Sequence, residues 1–276
     1  GKACELKVET ANKKFGIVQI IEQINCHDML GETVSLSLKL RVSATTNLDD
    51  VRAAIVSWSG TADSVTSDIV SAWEAEGTNP TLASNWTYEN TPADLNVTTS
   101  WAEYKIENVD IDTSGAANIG VFIWSNVTGT AVDEQVFITD VQLNKGATAG
   151  AFERKSFNTV EYECLRYYET SMDWGLTGQY AGQNVVIAND ALTFNASVGN
   201  LNGVNLRYRK RTTPTLTIYH QDGTAGAVYG PIIAGAKVTG VTAQHLNTLG
   251  CLFINKASAF YNGRAYYYGF IAESEL

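Results

Sequence analysis

Apolar and polar residues alternate along most of this chain. The dominant period is two, the spacing that places side chains on opposite faces of a β-strand. Glu5-Leu6-Lys7-Val8-Glu9 predicts a half-buried strand, and Phe15 to Ile24 a second, with a turn at Asn12-Lys13 between them. Val34 to Val42 alternates over nine residues, so one of its faces is buried and the other wet. Val51 to Trp58 and Tyr104 to Val109 follow, then the nearly continuous apolar run Ile119 to Trp124. Val136 to Leu143 closes this half of the chain. Such a series of short strands separated by polar turns predicts a β-sandwich.

Residues 60–98 break the pattern. Val65, Ile69, Val70 and Trp73 recur at i, i+4, i+5 and i+8, which predicts one short amphipathic helix over 62–76. Asp63 is its candidate N-cap, and Pro80 opens a further helical turn before Trp86. A long excursion between strands is often where function sits. Over 158–170 Val160, Cys164, Leu165 and Tyr168 again form a helical stripe, and Asn158 with Glu161 resembles a capping box. Period two then returns over 191–198, 204–211, 215–219, 236–242, 249–254 and 264–271, with Pro214 at a strand start, where its missing N–H is tolerated. The expectation is an all-β protein: a β-sandwich over 1–150, a short helical connector over 151–172, and a small antiparallel β-domain over 173–276.

Composition sharpens this division. Residues 1–150 hold 9 basic and 20 acidic side chains, net −11, and residues 151–276 hold 10 and 9, net +1. Five of the six tryptophans precede residue 150, and eleven of the thirteen tyrosines follow it. A chain with a net charge of −10 is not expected to bind nucleic acid, because phosphate binding needs clustered cations and the one basic run, Arg207 to Arg211, is too short for such a site. No apolar run is long enough for a helical membrane span. The start carries neither an initiator Met nor a signal-like stretch, so a mature or truncated piece of a longer product is expected. Cys4, Cys26, Cys164 and Cys251 form no CxxC pair, so zinc spacing is absent and reduced thiols are expected.

Phe152-Glu153-Arg154-Lys155-Ser156-Phe157, followed by Glu161-Tyr162-Glu163-Cys164-Leu165-Arg166-Tyr167-Tyr168, resembles a junction of tailed-bacteriophage virion proteins of the tail-fibre, receptor-binding type. Thr99-Ser100-Trp101, Val121 to Trp124 and Phe137 to Leu143 look like the closing strands of a carbohydrate-binding-module-like jelly roll. Arg211 to Thr215 and Gly269 to Leu276 are similar to the small C-terminal domain of those virion proteins. The resemblance spans nearly the whole chain. It implies a jelly-roll N-terminal domain, location in the virion, host-surface glycan and other virion proteins as partners, and a homotrimer. It also implies that Asp140 in the last strand can hold a structural Ca²⁺, with Glu5 of the first strand as a partner. A purely structural capsid-fibre, decoration or adaptor protein is the alternative, and the binding module of a secreted glycan-active enzyme is a third reading.

The residues themselves point to binding rather than catalysis. There is no G-x-S-x-G, no H-E-x-x-H and no repeat of a tailspike β-helix. Glu74 and Glu76 are a poor glycosidase pair, because i and i+2 on a helix end do not face one point. Asp110 and Asp112 begin a calcium-loop pattern that fails at its twelfth position, Val121. Sugar rings stack their apolar faces on aromatic side chains, so Trp58, Trp73 and Trp86, in or beside the excursion, are the ligand candidates. Trp101 and Trp124 read as core. Tyr266 and Tyr268 in the terminal strand are candidates for a ligand patch or a subunit interface. The run Arg207 to Arg211 reads as a solvated basic face.

Overall fold

A computed structural model describes residues 3–65, 68–171, 184–187, 199–220, 222–230, 236–256 and 265–274. The chain divides into two compact units between Arg154 and Lys155. Every strand pairing among the described residues is antiparallel.

In the first unit the elements are β1 (Cys4–Lys7), β2 (Phe15–Ile21), α1 (Gln23–Cys26), β3 (Thr33–Val42), β4 (Val51–Trp58), β5 (Val70–Ala72), β6 (Thr81–Leu82), β7 (Trp86–Tyr88), β8 (Ala102–Asp110), β9 (Asn118–Ser125) and β10 (Gln135–Lys145). Sheet I runs β1-β10-β3-β8 and sheet II runs β2-β9-β4-β7. Their inner faces share one core. Val34, Leu36, Leu38, Leu40 and Val42 of β3 meet Val51, Ala53 and Ile55 of β4 and Ile119, Val121 and Ile123 of β9. The alternation of Val34 to Val42 thus encodes a strand with one apolar side.

Sheet II is apolar on both sides. The intervening residues Ala54, Val56 and Trp58 of β4 and Phe122 and Trp124 of β9 form a second cluster with Trp86, Ile69, Val70 and Leu82. The excursion between β4 and β8 is therefore a cover for the outer face of sheet II. No helix forms among the described residues of 62–76, contrary to the expected amphipathic one. Asp63 takes a left-handed backbone (φ 54°). Its carboxylate accepts the Gln23 N–H at 2.8 Å and the Asn118 Nδ2–H at 2.7 Å, which pins the turn to the sheet. Val70 then pairs with Leu82 as β5 and β6, and Pro80 precedes β6 instead of opening a helical turn. The apolar spacing that mimics a helix comes from residues that cover a flat surface.

The second unit contains α2 (Phe157–Leu165), β11 (Tyr168–Thr170), β12 (Asn184–Ile187), β13 (Gly199–Asn202), β14 (Thr215–Tyr219), β15 (Ala227–Gly230), β16 (Ala236–Thr239), β17 (Val241–Asn247), β18 (Gly250–Lys256) and β19 (Ala265–Glu273). Strands β11, β12, β14 and β15 all pair with β19, β16 pairs with β15, and β13-β18-β17 form a separate sheet. Leu216, Ile218, Val228, Ile254, Tyr268 and Phe270 lie in its core. The strand read over 191–198 lies outside the described residues. No strand forms over 204–211. That segment follows the β17–β18 turn through Leu206 N–H to Leu249 O and Lys210 N–H to Thr248 O.

Helix α2 is shorter than the expected 158–170 stretch, because Tyr168 belongs to β11. It is capped two residues upstream of Asn158, where Ser156 Oγ accepts the Thr159 N–H at 3.3 Å. The basic run 207–211 is not wholly a solvated face. Lys210 is buried and donates to buried Glu169 at 2.8 Å and to Leu165 O. An ammonium at the carbonyl end of a helix complements the helix dipole. Removing either partner of such a buried pair strands the other charge.

Candidate functional site

The structure separates the predicted aromatics sharply. Trp58 and Trp86 are only 4% and 6% exposed, whereas Trp73 is 39% and Trp101 45% exposed. Trp58 and Trp86 pack on each other, ring centroids 5.5 Å apart, beneath the excursion. Trp58 also donates its indole N–H to Thr61 O at 2.9 Å. These two candidates serve as the packing of sheet II, with no ring face offered to a sugar. Trp73 caps the same cluster from the rim, 6.3 Å from Phe122. Tyr268 is buried in the second unit's core, and burial pushes its phenol above the usual tyrosine range. Tyr266 lies opposite Val186 in β19, and its side chain falls outside the described residues.

Trp101, which reads as core in the sequence, is the tryptophan that faces solvent. It lies just before β8 on the outer side of sheet I. The register there is Glu5 opposite Phe137 and Phe137 opposite Arg41. Leu40 pairs with Ala102, so the next position along β3, Arg41, falls beside Trp101. Glu5, Phe137, Arg41 and Trp101 thus form a row running across sheet I. The Arg41 guanidinium lies over the Phe137 ring at 3.9 Å and 5.4 Å from the Trp101 ring centroid. The two rings meet edge to face at 6.5 Å. This is a cation–π arrangement on a partly solvated surface.

The chain positions this row by covering the other end of the same face. Ser35 and Ser37 point outward from β3 yet are buried, because residues 146–150 cross over them. Ser35 Oγ donates to Gly146 O at 2.8 Å, and Ala149 N–H donates to Glu107 at 2.8 Å. Glu153 N–H donates to Gln142 Oε1 at 2.7 Å, which extends the strap. Beyond Ser37 the strap ends and Lys39 and Arg41 emerge. The sequence signal for this site is the alternation itself: sheet I strands read apolar-in and polar-out, so an aromatic at an outward position is on display.

Asp140, the expected calcium ligand, is held by cations of the protein itself. It occupies a β-bulge between Thr139 and Gln142 with φ 49°, and its carboxylate accepts from Lys39 Nζ at 2.9 Å, with Arg154 at 3.9 Å. The Lys39 hydrogen bond, helped by the charges of Lys39 and Arg154, lowers its pKa against the opposing effect of desolvation. Glu5 accepts from Gln135 Nε2 at 2.5 Å. An ammonium and an amide thus occupy the two expected ligands. Among the described residues no three His, Cys, Asp or Glu side chains gather as a metal site.

A cleft of about 580 Å³ beside β8 is lined by Glu89, Asp94, Glu107, Asp110 and Asp112, and the carboxylates of Glu89, Asp94, Glu107 and Asp110 act as structural caps. Glu89 accepts from Ser57 and from Asp112 N–H, Asp110 from Thr33 at 2.5 Å, and Asp94 from Asn96 N–H at 2.9 Å. Glu74 and Glu76 do not flank a common point on a helix end. Glu74 accepts from Thr81 at 2.6 Å, and Glu76 accepts from the Thr128 hydroxyl at 2.7 Å and its N–H at 2.9 Å. No protein-family model matches this chain, and no curated protein does.

Proposed function

We propose that this protein is a non-enzymatic tail-fibre component of a bacteriophage virion, and that it adheres to host-surface glycan through the open end of sheet I. The observation that carries the reading is the partly solvated row Phe137-Arg41-Trp101, in which the half-exposed Trp101 indole stands edge to face with Phe137 beside a guanidinium and offers one aromatic ring for a sugar to stack on. The strand order supports it. With the sandwich strands numbered one to eight along the chain, the two sheets run 1-8-3-6 and 2-7-4-5, the order of a jelly roll. In an adhesion assay on host cells and their extracted surface polysaccharide, Trp101→Ala loses binding while the fold is retained. Wild-type binding that survives Trp101→Ala sinks this reading and favours a structural virion part.

Assembly as a homotrimer completes the proposal, because weak sugar contacts become effective through avidity. Helix α2 has only nine residues, too few to be stable alone in water. Its Tyr162 packs on Tyr208 at 5.8 Å. On the opposite side Phe157, Val160 and Cys164 are exposed at i, i+3 and i+7, the spacing of a coiled-coil seam. Two further copies of the same stripe are the fitting cover, and the net +1 of residues 151–276 opposes their approach little. Sedimentation of the full chain is expected to give a trimer, and Phe157→Lys with Val160→Lys a monomer.

A further inference from the structure

We infer that the sheet I face selects an acidic glycan, with the Arg41 guanidinium taking a carboxylate or phosphate oxyanion of the sugar. This rests on the reading of the face as a glycan platform and names the class of ligand it takes. Residues 1–150 are strongly acidic, yet four of their nine basic side chains, Lys7, Lys39, Arg41 and Lys105, share this one face. Three of them are matched within the protein. Lys7 pairs with Asp133 at 2.7 Å, Lys39 with Asp140 at 2.9 Å and Lys105 with Glu103 at 3.7 Å.

Arg41 is different. Its contacts among the described residues are the two aromatic rings, and no carboxylate oxygen of those residues lies within ion-pair distance of it. The carboxylates nearest in register are engaged elsewhere, Glu5 by Gln135 and Glu103 by Lys105. A guanidinium presents five N–H donors in a planar fork that matches a carboxylate or phosphate in bidentate fashion. The Phe137 ring against the guanidinium restrains the side chain, so less rotamer freedom is lost when the donors are used. The negative charge of the rest of the unit is screened beyond ~8–10 Å at physiological salt, and the other three cations of the face are paired, which leaves the Arg41 guanidinium to meet an oxyanion. Trp101, at the end of the row, then takes the apolar face of the same sugar.

The test is an oligosaccharide array carrying neutral, uronate-bearing and phosphorylated glycans, probed with the full chain. Bound members are expected to be anionic, with Arg41→Gln at least tenfold weaker on them and Arg41→Lys intermediate, because a point charge remains but the fork is lost. Methyl esterification of the bound members separates the two sources: it abolishes carboxylate binding and leaves phosphate binding intact. Thermal melts of both Arg41 variants establish that the sandwich is folded. Binding dominated by neutral glycans, binding to no anionic member, or full retention in Arg41→Gln overturns the inference. If neutral glycans bind and Trp101→Ala removes them, the platform stands and only the acidic preference fails. If Trp101→Ala changes nothing, the platform itself is wrong.

Discussion

Both outer faces of the sandwich carry aromatic side chains, in opposite settings. Outside sheet II, Trp58, Trp86, Phe122, Trp124 and Tyr88 are roofed by Ile69, Val70 and Leu82 of the excursion. Outside sheet I, Trp101 and Phe137 remain partly in water with a guanidinium between them. A cluster of tryptophans in a long insertion therefore does not mark a ligand site, since the insertion is there to dry a hydrophobic sheet. What distinguishes the outer face of sheet I is an aromatic that keeps company with polar outward residues. The polar neighbours at Trp101 are Arg41 of β3 and, two positions further along the chain, Glu103.

The largest expected effect separates the dry face from the wet one. Trp86→Ala removes a buried indole from sheet II and is expected to cost about 3–5 kcal/mol, as large-to-small core changes do. Trp101→Ala at the exposed row is expected to shift stability by no more than about 1 kcal/mol while abolishing adhesion. Chemical denaturation of the two variants measures the difference. Equal destabilisation would mean that the two faces are packed alike.

Much of this contrast is legible in the amino-acid sequence. Val34 to Val42 alternates and forms a strand buried on one side, whereas Ile119 to Trp124 is continuous and forms a strand buried on both. A continuous run demands a second apolar layer, and residues 60–98 are the stretch of the first unit long enough to supply it. The 62–76 segment imitates a helix because a 3.6 period and an irregular cover can place Val65, Ile69, Val70 and Trp73 at the same offsets. Trp101 imitates a core residue because it precedes a strand whose register only β3 defines, through Leu40 and Ala102. The buried pair Lys210–Glu169 carries no local signal, since its partners are 41 residues apart and meet only by tertiary packing.

A mid-sized effect sharpens the dry side. The Tyr88 phenol donates to Pro80 O at 3.0 Å, and burial raises its pKa to about 12, opposed only in part by Arg52. A raised folded-state pKa stabilises the fold fully below the ordinary tyrosine value of roughly 10. That contribution is lost as pH rises towards 12. The cover on sheet II should therefore loosen in this alkaline window. Tyr88→Phe loses one hydrogen bond at neutral pH, about 0.5–1.5 kcal/mol, and should show a flatter alkaline limb. An alkaline melt series that leaves the native protein and the variant parallel would contradict the role of Tyr88 in the cover.

The smallest effect belongs to the wet side, and its sign is opposite. Asp140 is held below the usual carboxylate range by Lys39, so its pairing stabilises the fold above the ordinary aspartate value and is lost as pH falls through the depressed one. The pair lies on the outer face of sheet I, and surface pairs of this kind contribute little. Lys39→Met should therefore leave the neutral-pH melting temperature almost unchanged and flatten only the acid limb. Calcium gives a second readout. The ion requires six to eight oxygens, and the Asp140 carboxylate already holds an ammonium while Glu5 holds an amide. Adding calcium or a chelator should not move the melting temperature of the native chain. A calcium-dependent rise that vanishes in Asp140→Asn would mean that these pairs open to admit the ion, and that the wet face is assembled by a metal.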